Sequence, residues 1–319
     1  MSVTTEELAA ALKCELGQGV TGMERRTAKF QTSFPLEDVD ATLEDGSVLT
    51  LVLKDVSPAA LPEQARAAKP SFLLDPEREL EAYGSLLSGR SLGTPRCYAA
   101  VSDGQRHWLL IERVGGIPLW QAGEMETWQA AARWLASLHE QFAAEDEWRG
   151  SARHLLRYDA DLYRVWARRA REHAASAGVR RRDRERMVAV TERFEPVIER
   201  LAALPVTFLH GEFYGSNVLV DGGRIAPIDW ELAAVGPGPI DLAALSTGKW
   251  TEQEREAIAS AYEQALTVPP GDDFGELLDC CRLHLAVQWL GWAPGWRPPR
   301  AHRHDWLREA TELVEKLGL

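Results

Sequence analysis

His210, Glu212 and Asn217 fall within eight residues, in the run Phe208-Leu-His-Gly-Glu-Phe-Tyr-Gly-Ser-Asn-Val-Leu-Val220. Asp229 follows in Ile228-Asp-Trp-Glu231, and Asp241 in Gly238-Pro-Ile-Asp-Leu-Ala243. A carboxylate, an amide oxygen and a second carboxylate are hard oxygen donors. They suit Mg²⁺ shared with a phosphate, and not zinc, which takes Cys and His. Each lies beside a short apolar run, Val206-to-Leu209, Val218-to-Val220 or Ile225-to-Ile228. Strands there would bring the three groups to the mouth of a hairpin.

Stepping outward, the chain divides by texture. Leu8, Ala11, Leu12 and Leu16 repeat at helical spacing, so Ser2–Leu16 reads as a helix ended by Gly17 and Gly19. Arg25–Phe34, Val39–Leu43 and Val48–Val56 read as strands, with Asp45-Gly46 a hairpin turn between the last two. Pro58, Pro62 and Pro70 mark a loop, and Asp75-Pro76 opens a helix that runs through Leu87. Pro95–Val101 and His107–Val114 flank a second hairpin turn at Asp103-Gly104. After Gly115-Gly116 the pattern becomes helical over Trp128–Phe142, Tyr158–Ala175 and Arg184–Leu204, and again from Pro239 onward. The expected fold class is α+β. Residues 1–114 form a small antiparallel sheet carrying one helix, and residues 115–319 a larger, mainly helical part.

Composition bounds the function classes. The 319 residues carry 36 Lys and Arg against 48 Asp and Glu, a net charge of −12. That acidity disfavours sequence-independent nucleic-acid binding, which needs clustered positive charge. Between Arg164 and Arg200 the balance reverses to 11 Lys and Arg against 6 Asp and Glu. Its aromatics, Trp166 and Phe194, read as core-facing and not as interleaved with those arginines, so the stretch reads as solvated helix faces. Cys14, Cys97, Cys280 and Cys281 show no metal or disulfide spacing, which points to a reducing compartment. No apolar run approaches the length of a membrane span, and the acidic start is unlike a signal peptide. The expectation is a cytoplasmic protein with neither a membrane nor a nucleic-acid partner, its oligomeric state left open.

The wording His-Gly-acid, four residues, Asn, then Ile-Asp-Trp-Glu resembles the aminoglycoside phosphotransferase and choline kinase superfamily. The likeness runs from about Arg25 to Leu245. It implies a bilobal, protein-kinase-like fold and an ATP- or GTP-dependent transfer of phosphate to a small-molecule hydroxyl, with Mg²⁺. By that resemblance Glu212 is the catalytic carboxylate, and Asn217 and Asp229 hold the metal. His210 supports the loop rather than moving protons, and Asp241 braces it. Lys54, at the end of the strand Leu49–Lys54, reaches the nucleotide phosphates. Glu79 shares a helical face with Tyr83 and Leu86 and can hold Lys54, with Glu77 and Glu81 as competing choices. Backbone groups of Glu112 and Val114 hold the base, and Gly115 and Gly116 make the hinge between lobes.

Two departures from the family's pattern stand out. A glycine-rich phosphate loop is missing, and the turn Lys29-Phe-Gln-Thr-Ser-Phe-Pro35 leaves Thr32 and Ser33 to cradle phosphates. The expected catalytic Asp is Glu212, which raises the alternative of a nucleotide-binding pseudokinase that acts through a protein partner. The 12 tryptophans, four of them Trp289, Trp292, Trp296 and Trp306, admit two readings. They fill helix-packing gaps, or they form platforms for a cation or a sugar. Read as a carbohydrate-binding module, they would leave His210–Asp229 without a purpose.

Overall fold

The structure, a computed structural model, describes residues 3–29, 34–145, 147–292 and 304–319. Helix α1 (Thr5–Leu16) opens on a reciprocal cap between Thr4 and Glu7 and closes at Gly17. Strands β1 (Val20–Thr27), β2 (Leu36–Leu43) and β3 (Val48–Asp55) follow, the last two joined through the turn at Gly46. The first strand thus ends at Thr27. The span Pro58–Pro70, read above as loop, holds the short helix α2 (Glu63–Ala68). Helix α3 (Pro76–Glu81) starts with Asp75 capping the Glu77 N–H and Pro76 in the first turn. It continues as one π-turn, Ala82–Leu86, where Gly84 lies against Ala100 so closely that a Cβ would stand 2.9 Å from the alanine's own.

Strands β4 (Cys97–Ser102) and β5 (His107–Glu112) complete an antiparallel sheet in the order β1-β2-β3-β5-β4. Its two faces separate by strand alternation. Leu51 and Leu53 of β3 and Trp108 and Leu110 of β5 pack under α1 with Leu8 and Leu12. Val52, Leu109 and Ile111 face the main core.

The remainder begins with β6 (Ile117–Pro118), α4 (Leu119–Ala122), α5 (Met125–Ala143), α6 (Glu147–Ser151), β7 (Leu156–Arg157) and α7 (Ala160–Ala174). The stretch expected as one helix over Arg184–Leu204 is two, α8 (Arg181–Glu192) and α9 (Glu195–Ala202). Pro196, in the first turn of α9, has no N–H with which to continue α8. Then come β8 (Thr207–Leu209), β9 (Val218–Asp221), β10 (Arg224–Pro227), β11 (Ala234–Gly236), α10 (Pro239–Leu245), α11 (Glu252–Glu263), α12 (Phe274–Trp292) and α13 (Trp306–Lys316). Helix α13 is tied to α12 by Arg282 on Glu309 (3.0 Å) and Lys316 on Asp279 (2.7 Å). Among the described residues no helix is long and apolar enough to cross a membrane.

Two small sheets set the site. The β9–β10 hairpin carries β6 along its edge, Ile117 opposite Val220. The chain leaving the large sheet is therefore pinned to the hairpin that carries Asn217 and Asp229. Gly116 makes the crossing possible. Its φ is +85°, and a Cβ there would lie 2.0 Å from the Val220 carbonyl oxygen. The hinge glycine thus permits a close backbone crossing as well as a change of direction. Arg224 locks the same corner, donating to the Glu112 carboxylate (2.5 and 2.8 Å) and to the carbonyls of Gly93 and Thr94.

Candidate active site

Alternation along β3 turns Lys54 to the side of Val52, away from α1 and toward the helical half. Its side chain is almost fully buried, and Nζ donates to Glu79 Oε1 (2.9 Å) and Asp229 Oδ1 (2.6 Å). The competing glutamates have other partners. Glu77 accepts from Ser102 and faces His107, while Glu81 accepts the backbone N–H groups of Arg153 (2.8 Å) and His154 (3.0 Å). Arg78 anchors the same helix. It is buried and donates to the carbonyls of Leu73, His154 and Glu231 at 2.9–3.0 Å. Burial opposes a charge on Lys54, but Asp229 and Glu79 outweigh it and keep the ammonium protonated. Burial likewise works against ionised Asp229, and Lys54 overcomes it and holds that carboxyl below its ordinary value.

Asp229 has a φ of +66°, and no other non-glycine residue described has a positive one. Such a conformation persists only where the surroundings impose it, and it marks functional sites. Here it is set from both sides. Ile228 N–H donates to the Asn217 carbonyl (2.8 Å), and Trp230 is fully buried against Phe208 and His210.

The loop after β8 is held by a buried carboxylate. Asp241 accepts the N–H of His210 (2.6 Å) and of Gly211 (2.9 Å), one on each oxygen. His210 Nε2 pairs with the Ile228 carbonyl at 2.9 Å, so it carries the proton and donates. Nδ1 is then the acceptor for the Glu212 N–H (3.2 Å). With both nitrogens committed, and burial keeping the imidazole below its ordinary value, His210 is a neutral brace. Asparagine at 241 offers one acceptor oxygen to two N–H groups. Asp241→Asn is expected to lower turnover more than tenfold while nucleotide affinity stays within about twofold, because a loosened loop misplaces its side chains. Steady-state kinetics beside direct nucleotide binding checks this.

Glu212 emerges from the loop beside Asn217. Asn217 Nδ2 donates to the Glu212 carbonyl (3.1 Å), which turns Oδ1 away from that bond. Burial pushes the Glu212 carboxyl up to about 8. Lys69 pulls it down, Asp229 and Glu231 add to the rise, and Lys54 opposes more weakly. Asn217 Oδ1 accepts from the Ser216 hydroxyl (3.3 Å) and Asp229 Oδ1 from Lys54 (2.6 Å), and these are the oxygens the resemblance assigns to a cation. No group of three or more His, Cys, Asp or Glu able to hold a metal occurs among the described residues. Mg²⁺ at phosphoryl-transfer sites takes only one or two protein oxygens and completes its shell with phosphate and water, so the donor set fits it.

Thr32 and Ser33 lie outside the described residues, as does Trp296. The Glu112 N–H donates to the Arg96 carbonyl (2.8 Å) and the Arg113 N–H to that of Thr50 (2.9 Å), so Val114 follows as the chain leaves the sheet. Two residues assigned no role from sequence belong to the cluster. Glu231 is buried, and Lys69, one residue beyond α2, reaches in to pair with it. A lone lysine between prolines carries no local signal, and only the tertiary fold brings it to Glu231.

The sequence model of the APH family, described as a phosphotransferase enzyme family, matches residues 39–278, well over half of the chain. No curated protein sequence matches significantly. Among solved structures, a choline kinase from Cryptosporidium parvum Iowa II aligns over 98% of this chain and 94% of its own at 14% identity, with a TM-score of 0.62. A macrolide 2'-phosphotransferase from Brachybacterium faecium aligns over 97% of both chains at 17% identity and a TM-score of 0.56. A spectinomycin phosphotransferase in complex with ADP and spectinomycin aligns over 99% of this chain and 95% of its own, at 11% identity and a TM-score of 0.55. The fold is theirs, and with the family match spanning Lys54 through Asp241, this chain belongs to the phosphotransferase enzyme family.

Proposed function

We propose that this phosphotransferase moves the γ-phosphoryl of ATP or GTP onto a hydroxyl of a small molecule bearing an amine, of the amino sugar, aminoglycoside or aminoalcohol type. One observation carries the reading. Lys54 joins Glu79 and Asp229, and Asp229 follows the hairpin entered through Asn217, which is bonded to Glu212 on a loop braced by Asp241. In this reading Lys54 holds the nucleotide phosphates, and Asn217 and Asp229 hold Mg²⁺. Glu212 orients the acceptor hydroxyl and takes its proton, and the Val114 backbone donates to the base. Mg²⁺, when bound, neutralises charge on the phosphates. Positioning and charge outweigh proton removal in such a transfer, so a Glu in place of the usual Asp is workable where the loop is built for it.

The acceptor side supports a cation. Tyr214, two residues from Glu212, accepts from Trp289 Nε1 (2.8 Å). Trp289 stacks on Trp306 and leans on Trp292, which stacks on Trp166. Trp166 and Trp292 are buried and these faces are taken up by one another, so the tryptophans pack the helices, and the support for an amine is the carboxylates Glu212, Asp229 and Glu231 of the site. The neighbours above are named for choline, a macrolide and spectinomycin. A pseudokinase need not keep the Lys54, Asn217 and Asp229 set, and a cytoplasmic enzyme is the reading that suits it.

The test is ADP or GDP release over a panel of aminoalcohols, amino sugars, aminoglycosides and amine-free polyols, with and without Mg²⁺. Mg²⁺-dependent release with amine-bearing acceptors is expected. Release with amine-free polyols alone would overturn the acceptor class. Mg²⁺-dependent nucleotide binding with no release across the panel would favour the pseudokinase.

A further inference from the structure

The connector between β3 and α3, residues 58–75, is tied down along its length. Arg66 donates to the carbonyls of Pro58 (2.9 Å) and Leu61 (3.1 Å), and Arg78 to that of Leu73 (2.9 Å). Phe72 packs edge-on against Trp166 of α7, and Asp75 pairs with His154 (3.1 Å). Held in this way, the connector does not close fully on the body of the protein. A cavity of about 340 Å³ remains between it, the start of α3 and Glu231. Phe34, Val56, Leu61 and Leu74 give it apolar walls, and the phosphotransfer reading leaves it unused.

The charged groups of the wall are not alike. Glu79 has both oxygens on Lys54 (2.9 and 2.7 Å). Asp75 has one oxygen on the Glu77 N–H and the other on His154. Arg66 is turned onto its two carbonyls. Glu231 differs from these. It is 7% exposed, Oε1 pairs with Lys69, and Oε2 has no partner among the described residues. A carboxylate oxygen buried without a donor is costly, so this one calls for a donor from outside the chain. Charge narrows the choice of donor. Glu79, Asp229 and Glu231 are three carboxylates that share two ammoniums, Lys54 and Lys69. One negative charge is left over in a buried place, where an anion is repelled and a neutral donor leaves the charge uncompensated. Size narrows it further. The cavity is at the small end of the range of roughly 300–1,000 Å³ found for ligand pockets, which suits a compact molecule and not a multi-ring aminoglycoside.

We infer that this cavity binds a compact organic ammonium, whose amine donates to Glu231 Oε2 and whose hydrocarbon body packs on Phe34, Val56, Leu61 and Leu74. Charge and apolar contact hold it, and no covalent bond is made or broken. Glu79 lies in the same wall, so the site adjoins the Lys54 end of the catalytic cluster. The ammonium has two possible sources, the acceptor of the proposed transfer or a separate effector.

The probe is cyclohexylmethylamine, which has no hydroxyl to phosphorylate, beside the neutral cyclohexylmethanol of the same shape. Calorimetry on the full-length chain without nucleotide is expected to show the amine binding about tenfold or more tighter than the alcohol, the difference made by a charge-assisted hydrogen bond. Glu231→Gln should weaken the amine about tenfold and leave the alcohol within about threefold. Leu74→Trp adds bulk from the exposed rim, disturbs no buried charge and should weaken both probes about tenfold. It carries the test alone if Glu231→Gln does not fold. Equal affinity for amine and alcohol, or an amine affinity unmoved by Leu74→Trp, would leave the cavity to water and overturn the inference. The source is read in the acceptor assay. Competition between amine and acceptor assigns the cavity to the acceptor's own amine, and a changed kcat at unchanged KM assigns it to an effector. The binding arm contains no nucleotide, so its failure leaves the phosphotransfer reading standing. A chain that binds the amine yet forms no product with any acceptor overturns that reading and keeps this site.

Discussion

Asp229→Ala is expected to lower turnover by about 10³-fold or more and to erase any stabilisation of the chain by Mg²⁺ with nucleotide. The carboxylate has two duties in the proposed reaction. It presents a full negative charge to Mg²⁺, where Asn217 offers only an amide dipole, and it holds Lys54 at 2.6 Å. Losing a metal contact worth several kcal/mol of transition-state charge stabilisation corresponds to about three orders of magnitude. Alanine carries a further cost, because Asp229 sits at φ +66°, which residues other than glycine, asparagine and aspartate adopt poorly. Asp229→Asn separates the two effects. It tolerates the backbone and keeps the shape, so its melting temperature should stay near that of the parent while turnover falls by a similar factor. Melting curves with and without Mg²⁺ and nucleotide, read beside product formation, check both variants. Full activity in Asp229→Asn would remove Asp229 from the metal site.

What the sequence made legible follows the distance over which each interaction acts. His210, Glu212, Asn217 and Asp229 sit in short windows just outside the ends of β8, β9 and β10, so spacing alone was enough to group them. Lys54 was readable through the resemblance, as the lysine ending the strand Leu49–Lys54; that it shares the face of Val52 is what the structure adds by strand alternation. Glu79 was legible from the helical face it shares with Tyr83 and Leu86, but Glu77 and Glu81, within about a turn of it, stayed open as competitors. The choice is decided by Arg78, whose partners at Glu231 and His154 are far along the chain. The break between α8 and α9 was readable in principle from Pro196, but the apolar and charged pattern on either side runs through it. Gly116 announced a turn, while its close approach to the Val220 carbonyl depends on β6 pairing with β9. Lys69 and Arg224 were invisible for the same reason. Their partners, Glu231 and Glu112, lie more than a hundred residues away, and a single charged residue in a connector has no periodicity to betray it.

Glu212 is where the chain departs most from the pattern it otherwise follows, and two substitutions there have opposite uses. Glu212→Gln keeps the size and loses proton acceptance. Turnover is expected to fall by about 10²-fold or more, in the range of general-base loss, with nucleotide affinity within about threefold. The pH profile adds a sign. Burial raises the carboxyl to about 8, so near neutral pH the free enzyme holds it mostly protonated and unable to accept a proton. kcat/KM should therefore rise with pH toward about 8, and the rise should vanish in Glu212→Gln. Glu212→Asp asks whether the loop is built for the longer side chain. The Glu212 N–H is held by His210 Nδ1 and its carbonyl by Asn217 Nδ2, so the backbone cannot advance to make up a missing methylene. The carboxylate would recede by about 1.5 Å, one C–C bond, and a displacement of about 1 Å can cost about 10²-fold in rate. Lower turnover in Glu212→Asp than in the parent is thus the expected result. An aspartate variant that gained activity would instead mark Glu212 as a lesion in a retired active site. A glutamine variant equal to the parent on its own acceptor would leave Glu212 no part in proton transfer.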